Sequence, residues 1–117
     1  MLRDPLLYIE EMSEACRRAI AYANGMTKED IAADTKTFDA IVRCLTVIGE
    51  AAKGVPAAFR QLHLAVPWRQ AAGIRDKVVR HYFGIDDDIV WDVVVNHLPR
   101  LFRQLEAILD PNARSMG

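Results

Sequence analysis

One short stretch of the chain gathers side chains that could act on a phosphate. From Gly73 to Asp86 the residues are Gly73, Ile74, Arg75, Asp76, Lys77, Val78, Val79, Arg80, His81, Tyr82, Phe83, Gly84, Ile85 and Asp86. Arg75 and Tyr82 are seven positions apart and share one face of a helix, with Arg80 and His81 on either side of that face. A guanidinium carries a fixed charge that can stabilise extra negative charge on phosphate oxygens. An imidazole that titrates near neutrality can accept and return a proton. The phenol of Tyr82 adds a hydroxyl beside these cations. The same residues would equally suit an ordinary solvated helix face, and spacing alone does not separate the two readings.

Two further features bear on this chemistry. Lys53, Arg60, Arg69, Arg75, Lys77 and Arg80 lie between Lys53 and His81 with one acid, Asp76, among them, and His63 and His81 add possible donors. The run Asp86-Asp87-Asp88 follows, and then Asp92. A basic stretch of this kind can bind phosphate or RNA locally although the net charge of the chain is only −1; a solvated charged surface is the plainer alternative. Arg43 and Glu50, seven residues apart, project from one face of a second helix, opposite the apolar stripe of Ile41, Leu45 and Ile48. That face could meet solvent, a partner or an active site.

These residues depend on helices for their placement. Asp4 and Pro5 read as an N-cap and a first helical residue, and Asn24-Gly25 as the stop. Between them Leu6, Ile9, Met12, Cys16, Ala19 and Ala23 recur at steps of three and four. Thr27 opens a short segment, with Asp30 completing its capping box. A long helix is predicted over 35–53, with Phe38, Ile41, Leu45, Ile48 and Ala52 as its buried stripe. Another short helix is expected over 56–62, and a helix from Trp68 to about Phe83. Asp86 should cap a last helix over 87–109, with Val90, Val94, His97, Leu101, Leu105 and Ile108 inward and a kink at Pro99.

The result is an all-α, up-and-down bundle of about four main helices plus short ones, with one domain over 1–110 and a frayed tail over 111–117. The 117 residues, 51% of them hydrophobic, can supply one ordinary core. Cys16 and Cys44 lack metal-ligand spacing and read as small buried hydrophobes of a reducing compartment. No apolar run reaches the ~18 residues of a membrane span, and the N-terminus does not resemble a signal peptide, so a cytoplasmic protein is expected.

The chain as a whole resembles the HepT-like branch of the HEPN superfamily. The resemblance runs from Asp4 and Tyr8-Ile9-Glu10 through Asp39-Ala40-Ile41-Val42-Arg43 and Ile48-Gly49-Glu50-Ala51-Ala52-Lys53. It continues through Pro67-Trp68, Gly73 to Lys77, Tyr82-Phe83-Gly84-Ile85-Asp86, Ile89-Val90-Trp91 and Leu98-Pro99. The family motif is Arg, four residues, His, one residue, Tyr. Arg75 and Tyr82 stand in its first and last places, and the histidine place is taken by Arg80, with His81 one residue later. A looser superfamily spacing admits Arg75 with His81.

The resemblance implies the toxin half of a type VII toxin–antitoxin pair: a homodimeric endoribonuclease acting on RNA, with tRNA among its candidate substrates. It implies no metal and no cofactor. Arg75, with Arg80 or His81, would be catalytic, while Arg43, Glu50, Asp76 and Lys77 would support the site or bind phosphate. The cognate antitoxin would be an MNT-type nucleotidyltransferase that attaches AMP to Tyr82. Arg80 also leaves open a non-catalytic HEPN module that binds nucleotide or a nucleotidyltransferase partner. A third possibility is a purely structural bundle.

Overall fold

The computed structural model of the protein describes residues 3–79 and 86–112. Among the described residues every regular element is helical. Helix α1 (Pro5–Ala23) starts where the Asp4 carboxylate accepts from the Leu6 N–H. It ends at Asn24, where Gly25 takes the positive φ of 79° that a side chain would oppose. Thr27 and Asp30 form the expected reciprocal capping box of α2 (Lys28–Ala33). Asp34 caps α3 (Thr35–Gly54) through the Thr37 N–H.

The expected stripes of α1 and α3 are buried except at their first residues, Leu6 and Phe38, which are half-buried. Ile9, Met12, Cys16 and Ala19 of α1 are fully buried, as are Ile41, Leu45, Ile48 and Ala52 of α3. Helix α1 packs along α3 on one side and along the last helix on the other. The Ser13 hydroxyl, itself buried, donates to Glu106 Oε1 at 2.5 Å and joins α1 to that last helix.

Helix α4 (Ala57–Leu62) is short, and its Arg60 closes the end of α3 by donating to the Ala52 and Val55 carbonyls at 2.8 and 3.0 Å. Helix α5 (Trp68–Val79) begins at Trp68, whose indole N–H donates to the His63 carbonyl at 2.9 Å. The expectation that this helix reaches Phe83 lies outside the described residues.

The last long helix differs from the sequence reading at one place. It is built of α6 (Asp87–Asp92), a π-helical turn over Val93–His97, and α7 (Leu98–Leu109). The Leu98 N–H bonds to the Val93 carbonyl, five residues back. The cause is local. Pro99 has no N–H, and its ring crowds the carbonyl four residues earlier in a regular α-helix; the wider turn before it avoids that contact. Residues advance by a smaller angle in a wider turn, so His97 leaves the apolar stripe on which the 3.6 period placed it. Leu98, fully buried, takes its place beside Val94 and Leu101. Asp110 ends α7, and residues 113–117 of the expected tail lie outside the described residues.

Candidate functional site

The α3–α5 crossing sets the position of Arg75. Gly49 on α3 is buried against α5, and a Cβ built on it would come within 3.0 Å of the Arg75 Cβ. The missing side chain lets the two backbones approach. Glu50, the next residue, then meets the arginine directly, with Arg75 Nη1 2.9 Å from Glu50 Oε1 and side chains 44% and 54% exposed. One turn on, Lys53 Nζ lies 3.8 Å from Asp76 Oδ1. Ion pairs this exposed are worth ~0–1 kcal/mol each. Their effect is therefore to orient: Arg75 presents a guanidinium aligned by one carboxylate, with solvent-facing donors left over for an anion.

The structure brings only some of the expected residues together. Arg75, Glu50, Asp76 and Lys53 share the α3–α5 seam. Arg43 does not join them. It sits two turns earlier on α3, about 10 Å along the axis from Glu50, in a groove against α1 with Glu14, Arg18 and Tyr22. The face that Arg43 and Glu50 share by spacing is thus divided between two neighbouring helices. The groove's Glu14 carboxyl is held down to about 2 by hydrogen bonds from Arg17 and then Arg18. Arg80, His81 and Tyr82 lie outside the described residues.

The basic stretch is also less uniform than it reads. Arg60 is engaged with the α3 C-terminus and Lys53 with Asp76. His63 is half-buried, its ring 4.7 Å from that of Phe59.

Lys77 projects from the other side of α5, into a groove of about 620 Å³ between α5 and the π turn with α7. Asn96, His97 and Arg100 line the opposite wall. His97 Nε2 lies 3.1 Å from Asp92 Oδ2, while Asn96 Nδ2 donates to Asp92 Oδ1 at 2.7 Å. The hydrogen bonds from Asn96 and then His97 push the Asp92 carboxyl below its usual range. Asp92, Asn96, His97 and Arg100 were not among the site residues suggested by the sequence. A 3.6-residue period places His97 in the core only if it runs unbroken through residues 93–97, and the π turn breaks it there. Pro99 was the signal that the period would not hold there.

Among the described residues no cluster of three His, Cys, Asp or Glu side chains is placed to hold a metal ion, and no described helix is long and apolar enough to cross a membrane. The Ribonuclease HepT-like family profile matches residues 12–108. The chain belongs to that family. A relative from Caldanaerobacter subterraneus subsp. tengcongensis that bears the name of an RNase is 37% identical over 92% of this chain and 96% of its own. Another RNase-named relative, from Methanocaldococcus jannaschii, is 37% identical over 92% of this chain and 88% of its own. A relative from Thermococcus cleftensis, with ribonuclease HepT in its name, is 37% identical over 86% of this chain and 92% of its own. No solved structure matches the chain. By family the protein is thus a HepT-like, HEPN-type ribonuclease on an all-α bundle.

Proposed function

We propose that this HepT-like protein is the toxin of a bacterial type VII toxin–antitoxin pair, a cytoplasmic, metal-independent endoribonuclease weakened by Arg80. The observation that carries the reading is Arg75. It occupies the motif position in a chain of this family and stands half-exposed beside Glu50 on the α3–α5 seam.

In the proposed reaction the ribose 2′-oxygen forms a bond to the adjacent phosphorus and the P–O5′ bond breaks. The 2′-hydroxyl proton passes to a base, and the departing 5′-oxygen takes up a proton. The products are a 2′,3′-cyclic phosphate and a 5′-hydroxyl. Arg75 stabilises the extra charge on the phosphate. The proton transfers need an imidazole. Arg80 cannot serve as base, because arginine holds its proton up to a pKa above ~12. Losing general acid–base assistance costs on the order of 10²–10⁴-fold in rate. Two subunits pair so that their Arg75 side chains face one cleft. Exposed Leu7 and Tyr22 beside the mixed charges of the α1–α3 groove supply a surface suited to self-pairing. An MNT-type nucleotidyltransferase silences the toxin by transferring AMP from ATP: the Tyr82 oxygen, giving up its proton, bonds to the α-phosphorus and pyrophosphate leaves, so that the motif tyrosine carries a bulky anion.

Arg80 also favours a second reading, a non-catalytic HEPN module that binds nucleotide or the nucleotidyltransferase. Single-turnover cleavage of a tRNA pool by the protein, by Arg80→His and by His81→Ala separates them. The ribonuclease reading expects Arg80→His to be faster by the factor above. A protein that equals Arg80→His and is abolished by His81→Ala assigns the base to His81. No cleavage by any of the three leaves the binding module.

A further inference from the structure

The groove between α5 and α7 is built unlike the Arg75 seam. Its floor is apolar: Ile74, Leu98 and Leu101 are buried beneath it. Gly73 lines it with nothing within 4 Å of where a Cβ would stand, so a flat ring can lie against the backbone of α5. Three basic side chains, Lys77, His97 and Arg100, border it, and no acidic residue lines it among the described residues. The nearby Asp92 is tied to Asn96 and His97, which fixes the imidazole and leaves His97 Nδ1 without a described partner. Amides complete the walls. Gln104 donates through Nε2 to the Ala65 carbonyl at 2.8 Å, and its Oε1 is closed off from solvent with no partner among the described residues. An apolar slot with a few fixed polar groups and a volume of about 620 Å³ has the size and lining of a small-ligand site. Basic side chains at one border and an apolar floor open at Gly73 match a ligand with a planar heterocycle at one end and a phosphate at the other.

We propose that this groove binds a nucleoside phosphate: the base over Gly73 and Ile74, the phosphate between Lys77, His97 and Arg100. The groove lies on the side of α5 away from the Glu50–Arg75 pair, so it is a second nucleotide position, flanking the one where the strand is cut. The inference deepens the ribonuclease reading and rests on it for the source of the ligand, a nucleotide of the bound RNA strand. The π turn has a role here: by turning His97 out of the core it supplies the third basic side chain of the border.

Calorimetric titration of the full chain tests the site, with three probes: 5′-AMP, a short single-stranded RNA bearing 2′-O-methyl groups that cannot be cleaved, and inorganic phosphate. Both nucleotide probes should bind, the RNA more tightly. Lys77→Ala and Arg100→Ala should each weaken them on the order of tenfold. Gly73→Gln, which adds a neutral side chain into open space, should abolish binding while circular dichroism shows the helices intact. Arg103→Ala, which removes an α7 cation outside the groove, should change nothing. Inorganic phosphate binding as tightly as 5′-AMP overturns the site, as do unchanged affinities in all three groove variants. RNA no tighter than 5′-AMP overturns the strand as the source. Groove variants that dissociate the protein without weakening the probes make the groove a protein contact and also overturn the site. The two readings fail separately. Absence of cleavage in Arg80→His removes the ribonuclease and leaves the titrations standing. Cleavage by Arg80→His whose KM is indifferent to Gly73→Gln removes the groove alone.

Discussion

A β-carbon added at Gly49 would stand 3.1 Å from the backbone nitrogen of Arg75 as well as 3.0 Å from its Cβ. The helix that carries the motif arginine is therefore seated on a residue with no side chain. Gly49→Val should destabilise the fold by about 1–3 kcal/mol, because the atoms in the way are the Arg75 Cβ and backbone nitrogen, neither of which can rotate aside. Gly49→Ala should cost less, since its smaller intrusion is partly offset by ~1 kcal/mol of helix propensity. Urea midpoints of both variants check the order; a Gly49→Val protein as stable as the parent would count against close helix contact at this point.

Glu50→Ala should separate orientation from stability. The pair with Arg75 is exposed, so the unfolding free energy should move by less than about 1 kcal/mol. In the Arg80→His background the same change should lower kcat/KM on the order of ten- to a hundredfold, because the arginine is no longer aligned. Equal kcat/KM with and without Glu50 would show that the carboxylate does not position Arg75.

Pro99→Ala should restore a donor within the last helix and remove the crowding that the π turn avoids. The unfolding midpoint should rise, by some part of the ~3 kcal/mol that an interior proline costs. In proton NMR the His97 ring should lose its contact with Asp92, which spans five residues and depends on the wide turn. A lower midpoint with that contact retained would mean that the turn is held by the core and not by the proline.

Thiol chemistry should report the core. Burial pushes the Cys16 thiol up to about 12, and burial also raises Cys44. Both should resist alkylation near pH 8 in the native protein and react in denaturant. For an acid whose folded pKa is raised, the stabilisation is present below the unfolded value near 9 and is lost as pH rises toward 12. Alkaline unfolding should therefore be shifted to higher pH by Cys16→Ala, provided the cavity cost is measured at neutral pH and subtracted.

Much of the fold was legible because the signals were local. Asp4 with Pro5, Asn24 with Gly25, and Thr27 with Asp30 each fix a helix end through one or two hydrogen bonds, and each bond is present. The α1 and α3 stripes obey a period that nothing interrupts. The same reasoning failed at His97, where a proline two residues away changes the period itself. The site was legible in part. The family motif singles out Arg75 as a candidate, but its pairing with Glu50 needs two helices to cross at Gly49, which no periodicity within one helix can reveal. Arg43 and Glu50 share a helix face by spacing, and the structure gives them different neighbours.

Among the described residues helix α1 is flanked by both α3 and α7, whereas α5 packs chiefly against α3. Segments held on one side open in native-state hydrogen exchange at lower free energy than those held on two. Amide exchange should thus release α5 while the α1–α3–α7 core stays closed. The motif arginine would then ride on a unit that can rearrange around a visiting strand, or around a modifying enzyme, without global unfolding.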